Sequence, residues 1–216
     1  MNPPLAKLLD LQKDLRIKIA NVREDVEKEG KEPEQPTIFH TLLRSSLPDP
    51  EKSNLRLGEE AQLLLGAGIE TTAWALCNAA YYILASSQVQ GHLKAELRGA
   101  IPNPTAPDAF GYTKLENLPY LRACIKEAVR LSLSVTARNP RVLTEPLIFN
   151  EWVIPAGTPI SMTIKDVHLN DDVYPNASEF KPERWLGENP KAPDGSPLER
   201  YFVAFGKGPR SCLGIK

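Results

Sequence analysis

Proline is absent from residues 51–101, whereas fourteen of the chain's twenty prolines fall from Pro102 onward. Proline has no amide hydrogen to donate and its ring clashes with the preceding turn, so long helices belong to the front of the chain and turns to the back. At the front, Leu5, Leu8, Leu15, Ile19, Val22 and Val26 share one helical stripe with Gln12 filling a gap. That spacing predicts an amphipathic helix over 5–29, closed by Gly30 and followed by Pro33 and Pro36. Ile38, Leu42 and Leu43 predict a short second helix ending before Pro48. Residues 58–86 form a nearly unbroken run of apolar and small side chains, the pattern of a long helix enclosed by protein on most sides. A membrane span is the alternative for this run, because 71–91 carries no formal charge; Asn78, Tyr81 and Tyr82 inside it, and Glu70, Thr71 and Thr72 around its start, argue against lipid.

Two more helices are expected, over 88–98, ended by Gly99 and Pro102, and over 118–133, where Pro119 suits a first turn. From Pro146 to Ile164, β-branched and aromatic residues surround Asn150-Glu151 and Ala156-Gly157, which predicts short hairpin strands. Residues 166–210 read as an irregular stretch too long to be a mere connection. The fold class is therefore mainly α with a small β region, and the 216 residues suffice for the core of one domain.

Composition excludes several functions. Lys plus Arg is 26 against 27 for Asp plus Glu, a net charge of -1 that offers no basic field for nucleic acid. Cys77, Cys124 and Cys212 form neither an even set nor a CxxC pair, which speaks against a disulfide framework or a structural zinc and fits a reducing compartment. Cys77, Cys124, Trp74 and Tyr81 are read as core side chains. The N-terminal Met1-Asn-Pro-Pro-Leu5 has neither a signal-peptide core nor an anchor, so the chain reads as soluble and cytoplasmic.

The densest chemical signal is Phe205-Gly-Lys-Gly208-Pro-Arg210-Ser-Cys212-Leu-Gly214. Its glycines permit left-handed backbone and close approach to a ligand, while Lys207 and Arg210 favour the thiolate, the form that ligates metal or attacks carbon. A buried free cysteine beside a glycine-rich turn is the plainer alternative. Glu127 and Arg130, three apart on one helical face, can pair, and most such pairs are solvated and contribute little.

Phe205, Gly208, Arg210, Cys212 and Gly214 match the haem-binding loop of the cytochrome P-450 family, the haem-thiolate monooxygenases, position for position. Three further motifs stand in that family's order: Ala67-Gly68-Ile69-Glu70-Thr71-Thr72, Glu127-Ala-Val-Arg130, and Phe180-Lys-Pro182-Glu183-Arg184-Trp185. The chain most resembles fungal secondary-metabolism members. The resemblance implies that Cys212 is the proximal ligand of haem b (iron protoporphyrin IX), held in a loop with Phe205, Gly206, Gly208 and Gly214. It implies that Leu213 packs under the ring and that Arg210 neutralises a propionate. Arg141 matches a position that often contacts a propionate, a surface arginine being the alternative, and His168 matches a recurrent histidine that is not assigned to iron.

On the long helix, Ala67 and Gly68 leave room for the cofactor, and Glu70 with Thr71 resembles the acid and alcohol that relay protons to dioxygen. The plainer alternative there is a small-residue helix crossing with a locally satisfied threonine. Arg184 is implied to complete a buried structural triad with Glu127 and Arg130. The implied activity is that of an oxidoreductase on paired donors, inserting one atom of O2 into a small apolar organic substrate, with electrons passing from NADPH through a flavoprotein reductase. By the same resemblance the chain is an incomplete fold, a single partial domain over 1–216 lacking the N-terminal half and the C-terminal end. A full-length member would sit at the endoplasmic reticulum, attached only through its N-terminal anchor. Two rivals stand beside this reading. One is an inactive remnant acting as a helical interaction protein; the other is a hydrolase with Cys212 as nucleophile, which needs a base although no histidine lies within forty residues of it in sequence.

Overall fold

The computed structural model describes residues 3–28 and 35–215. They divide into two compact units, 1–70 and 71–216, with the division falling inside one long helix. The expected cap at Gly30 and the following Pro33 lie outside the described residues, as does the side chain of Leu5.

In the first unit, α1 (Pro3–Glu27) and α2 (Ile38–Arg44) precede a 3-10 turn (Asp49–Lys52) and the opening of α3 (Asn54–Ala85). The stripe on α1 is buried only in its C-terminal part: Leu15 and Ile19 are buried and Val22 and Val26 half-buried, whereas Leu8 is exposed. α1 and α3 approach closely, because a Cβ at Gly58 would stand 3.1 Å from the Cγ of Arg16. Gln12 donates to Gln62 Oε1 at 2.9 Å, and Arg23 donates to Asn54 Oδ1 at 2.8 Å and to the carbonyl of Lys52. Leu57 and Ala61 complete the buried apolar set of this unit.

The second unit continues α3 and adds α4 (Ser87–Ala100), α5 (Tyr112–Leu115) and α6 (Pro119–Ser132). Ser86 caps α4 by accepting from the amide of Val89 at 3.3 Å. Four short strands follow: β1 (Arg141–Val142), β2 (Leu147–Phe149), β3 (Trp152–Ile154) and β4 (Pro159–Ile160). β2 and β3 pair as an antiparallel hairpin, with Asn150 in the left-handed region at φ 51° in its turn, and β1 pairs antiparallel with β4. α7 (Ile164–His168) opens the irregular stretch, and after it the helical pieces among the described residues are 3-10 turns at Pro182–Trp185, Leu198–Tyr201, Gly208–Arg210 and Leu213–Ile215.

α6 organises this unit. Tyr120, Ala123, Cys124, Glu127, Ala128 and Leu131 recur at three- and four-residue spacing, and all are buried. One cluster, Val89, Leu93, Tyr120 and Cys124, joins α6 to α4, with Phe180 packed against it and stacked on Tyr82 at 4.9 Å. Another gathers Ala123, Tyr174, Ala177, Trp185, Ala192 and Leu198 from α6 and the irregular stretch. Burial in apolar surroundings pushes the Cys124 thiol up to about 12, so it behaves as a small hydrophobe. A carboxylate from α4 caps α6: Glu96 accepts from the amides of Tyr120 at 2.7 Å and Leu121 at 2.8 Å, in place of a local side-chain cap.

Several expectations for α3 fail. It is not enclosed: Leu63, Leu64, Leu65, Ile69, Leu76 and Leu84 are exposed, and so are Trp74, Tyr81 and Cys77, which had read as core. Periodicity reports which face is apolar and not whether anything covers it, and no described element covers these side chains. Trp74 nevertheless donates its indole N–H to the carbonyl of Ser132 at 2.6 Å. No described helix is long and apolar enough to cross a membrane.

Candidate functional site

Glu127 and Arg130, fully buried on α6, form the polar centre of the second unit. The carboxylate accepts five hydrogen bonds. Oε1 takes Arg130 Nη2 at 2.8 Å, Arg184 Nε at 3.0 Å and the Lys181 amide at 3.0 Å; Oε2 takes Arg130 Nε at 2.9 Å and the Trp185 indole at 2.8 Å. Burial alone would raise the Glu127 carboxyl, but Arg130's hydrogen bonds and charge, the charge of Arg184 and the Lys181 amide outweigh it and hold it below the usual carboxylate range. The rest of the Arg130 guanidinium donates to the carbonyls of His168, Ala177 and Glu179, so one buried ion pair stitches α6 to three points of a segment that has no ladder of its own. Its Cζ also lies 4.9 Å from the centroid of the Tyr174 ring.

His168, at the end of α7, is fully buried in the same cluster. Its Nδ1 lies 3.0 Å from the carbonyl of Arg130, and its Nε2 accepts from the amide of Val203 at 3.1 Å. The ring stacks on Phe202 with centroids 5.8 Å apart and meets Tyr174 edge-on at 6.1 Å. Burial pushes this imidazole down to about 4, with the charge of Arg130 adding to the effect and the Arg130 carbonyl and Glu127 opposing it. The unfolded chain therefore takes up a proton at His168 that the folded chain refuses. Stability from this source is complete above pH 6.5, the ordinary value, and is lost progressively as the pH falls toward 4. We expect the unfolding free energy to drop by about 3 kcal/mol across that window. Glu127 extends the loss into more acid solution, since its depressed carboxyl must be protonated in turn. Urea unfolding at a series of pH values checks this; a midpoint flat between pH 7 and pH 4.5 contradicts it.

From this cluster an aromatic series leads to Cys212. Trp185, bonded to Glu127, meets Phe202 with centroids 5.5 Å apart, and Phe202 meets Phe205 at 6.2 Å. Lys126 stands over Trp185 and Phe202 at 5.2 and 5.8 Å and pairs with Glu199. Beyond Phe205 the loop turns on two left-handed glycines, Gly206 at φ 71° and Gly208 at φ 75°, where other residues would be strained. The Gly206 amide donates to the Val203 carbonyl at 2.9 Å, and the Cys212 amide returns to the Phe205 carbonyl at 2.7 Å. Lys207 points back, donating to the Glu199 carbonyl at 3.2 Å.

The result is an exposed thiol at Cys212, followed by Leu213 with 89% of its surface exposed. A Cβ at Gly214 would stand 3.8 Å from the sulfur, so glycine there leaves that flank open. Arg210 is exposed on the same loop. Arg141, on β1, is exposed too, and its guanidinium reaches the carbonyls of Asn139 and Pro140. Ala67, Gly68 and Glu70 are exposed on the part of α3 in the first unit, and Thr71, half-buried, is the first residue of the second. No group of three or more metal-ligating side chains occurs among the described residues.

Within the second unit the structure thus brings Glu127, Arg130 and Arg184 together, and brings Phe205, Gly206 and Cys212 into one loop. Sequence reasoning missed the Trp185 indole, the Lys181 amide, the Glu96 cap and the two hydrogen bonds of the His168 ring. All are long-range partners with no signature in local spacing, although Lys181 and Trp185 both stand inside the Phe180–Trp185 motif.

The family model for Cytochrome P450 matches residues 5–216. Cytochrome P450 monooxygenase sdnE of Sordaria araneosa is 45% identical, the match covering 99% of this chain and 43% of that protein. Cytochrome P450 monooxygenase tpcC of Cochliobolus heterostrophus is 40% identical over 100% of this chain and 41% of its own length. N-acetyltryptophan 6-hydroxylase ivoC of Emericella nidulans is 38% identical over 99% and 41%. Among solved structures, a cytochrome P450 (CYP102L1) superposes with a TM-score of 0.73 at 24% identity, covering 99% of this chain and 48% of that one, a likeness of fold. The chain spans about two-fifths of the length of these curated relatives.

Proposed function

Because the chain belongs to the cytochrome P450 family, we propose that it carries the cysteine-ligand half of a haem-thiolate monooxygenase, one that inserts an atom of O2 into a small apolar organic substrate in fungal secondary metabolism. The observation that carries this reading is the Cys212 thiol, exposed on a two-glycine turn and joined through Phe205, Phe202 and Trp185 to the buried Glu127–Arg130 pair, which the half-buried Arg184 joins. The residues present suit haem: a single soft sulfur donor, an open flank at Gly214 and the exposed apolar side chain of Leu213 beside it. When bound, haem with a thiolate ligand supplies the activation of dioxygen, since electron density from sulfur favours O–O cleavage.

This chain's own residues do the rest. Cys212 Sγ ligates, Leu213 offers an apolar side chain to the ring, and the Gly206 and Gly208 turns aim the sulfur. Arg210 and Arg141 neutralise propionates. Ala67 and Gly68 keep side chains out of the way, while the Glu70 carboxyl and the Thr71 hydroxyl, consecutive on α3, hold and pass protons. Electrons reach the protein from NADPH through a flavoprotein reductase, and the complete protein is anchored at the endoplasmic reticulum. The test is haem reconstitution, reduction and exposure to carbon monoxide: a strongly red-shifted Soret band is expected, and its absence in haem-loaded protein overturns thiolate ligation.

A second reading retains the fold without the chemistry, as a helical interaction protein. Its support is the exposed apolar side chains of α3, Leu63, Leu64 and Ile69 in the first unit and Leu76 and Leu84 in the second. Failure to take up haem under those conditions favours it.

A further inference from the structure

His168 is a histidine with no free nitrogen. Val203 N–H can only donate, so Nε2 must present its lone pair; the Arg130 carbonyl can only accept, so Nδ1 must carry the hydrogen. The two bonds together select one neutral tautomer. Protonating Nε2 would set N–H against N–H in a site closed by the rings of Phe202 and Tyr174. The charged and titratable groups facing this ring are Arg130 and Glu127 from α6 and Tyr174 from the irregular stretch. The main chain of His168 is held as well, since its carbonyl accepts from Arg130 Nη1. Arg130 thus grips His168 twice, by guanidinium and by carbonyl.

What the ring holds in turn is the start of the cysteine loop. Val203 donates to the imidazole and accepts, through its carbonyl, from Gly206, closing the turn that the left-handed Gly206 permits. The next residue back from Gly206, Phe205, accepts from the Cys212 amide. We infer that His168, as the Nδ1–H tautomer, is a positioning residue that ties the Val203–Gly206 turn to α6 and so sets where the Cys212 sulfur stands. The inference deepens the proposed role of Cys212 and rests on that reading only for its consequence at the cofactor. The hydrogen-bonded linkage itself is a property of the haem-free chain.

The test uses the 216-residue chain without haem. The imidazole nitrogens of His168 are measured by nitrogen-15 NMR, with Nδ1 expected to be the protonated nitrogen and Nε2 the bare one. The opposite assignment overturns the inference whether or not any variant folds. His168→Phe keeps an aromatic ring and loses both bonds. Hydrogen exchange at the Val203 and Gly206 amides should then accelerate about tenfold or more, with the α6 amides around Glu127 unchanged. His168→Gln, which can still accept from Val203, should recover most of the protection, and His168→Asn, which can reach only the Arg130 carbonyl, should not. Alkylation of Cys212, mapped by mass spectrometry, should change in the Phe and Asn variants and return toward normal in the Gln variant. Exchange at Val203 unchanged in the Phe variant, or accelerated equally throughout the unit with no recovery by Gln, overturns it. Failure of haem uptake with these results intact would count against the proposed function alone.

Discussion

Replacing Glu127 with alanine should cost about 3–5 kcal/mol, because Arg130 would be left buried with its charge uncompensated. The loss is of the order of the whole stability of a small domain, so the second unit should no longer unfold cooperatively near physiological temperature. Two features make the effect larger than for an ordinary ion pair. Glu127 also accepts from Lys181, Arg184 and Trp185, all on the irregular stretch, so its removal frees that stretch as well as its helix partner. The backbone bonds of the stretch are those of short turns, such as Tyr174 to Asn170 and Phe202 to Glu199, which tie it to itself and not to α6. Thermal unfolding followed by circular dichroism measures this. A variant melting within a few degrees of the unsubstituted chain would mean that water or rearranged carbonyls compensate Arg130. Glu127→Gln, which keeps the shape but not the charge, should be less damaging and still clearly destabilised.

Cys212→Ala should abolish the thiolate signature while leaving the fold intact, the reverse of the first variant. Cys212 is exposed and only its amide joins the loop's hydrogen bonds, which alanine preserves. The far-ultraviolet spectrum and unfolding midpoint should therefore not move. The red-shifted carbon monoxide band of reduced, haem-loaded protein should disappear completely, since no other described side chain sits on that loop with a soft donor atom. Persistence of that band in the alanine variant would transfer the ligand role elsewhere and sink the assignment. Together the two variants separate the group that holds the loop from the group that the loop presents.

Much of the local architecture was legible in the sequence. The proline-free run became α3 and α4, Pro119 opens α6, and the Asn150-Glu151 and Ala156-Gly157 turns stand between strands. These features follow from neighbours within four residues: a missing N–H, a glycine at positive φ, an apolar side chain one turn away. The ordered motifs also identified the family. The exposed side of α3 was not legible, because the same apolar pattern serves a buried helix and one whose covering layer is absent from the described residues.

The polar interior depended on tertiary structure for a related reason. Glu127 and Arg130 read equally well as a solvated surface pair, and only burial decides that their interaction is indispensable. Burial, in turn, depends on Trp185 and Tyr174, about fifty residues away along the chain. Likewise nothing around His168 in sequence says that its ring nitrogens join α6 to Val203. Local sterics and periodicity set the helices, the turns and the cysteine loop by sequence alone. The desolvation of one carboxylate, and the long-range donors that must then satisfy it, came into being only when the irregular stretch folded onto α6.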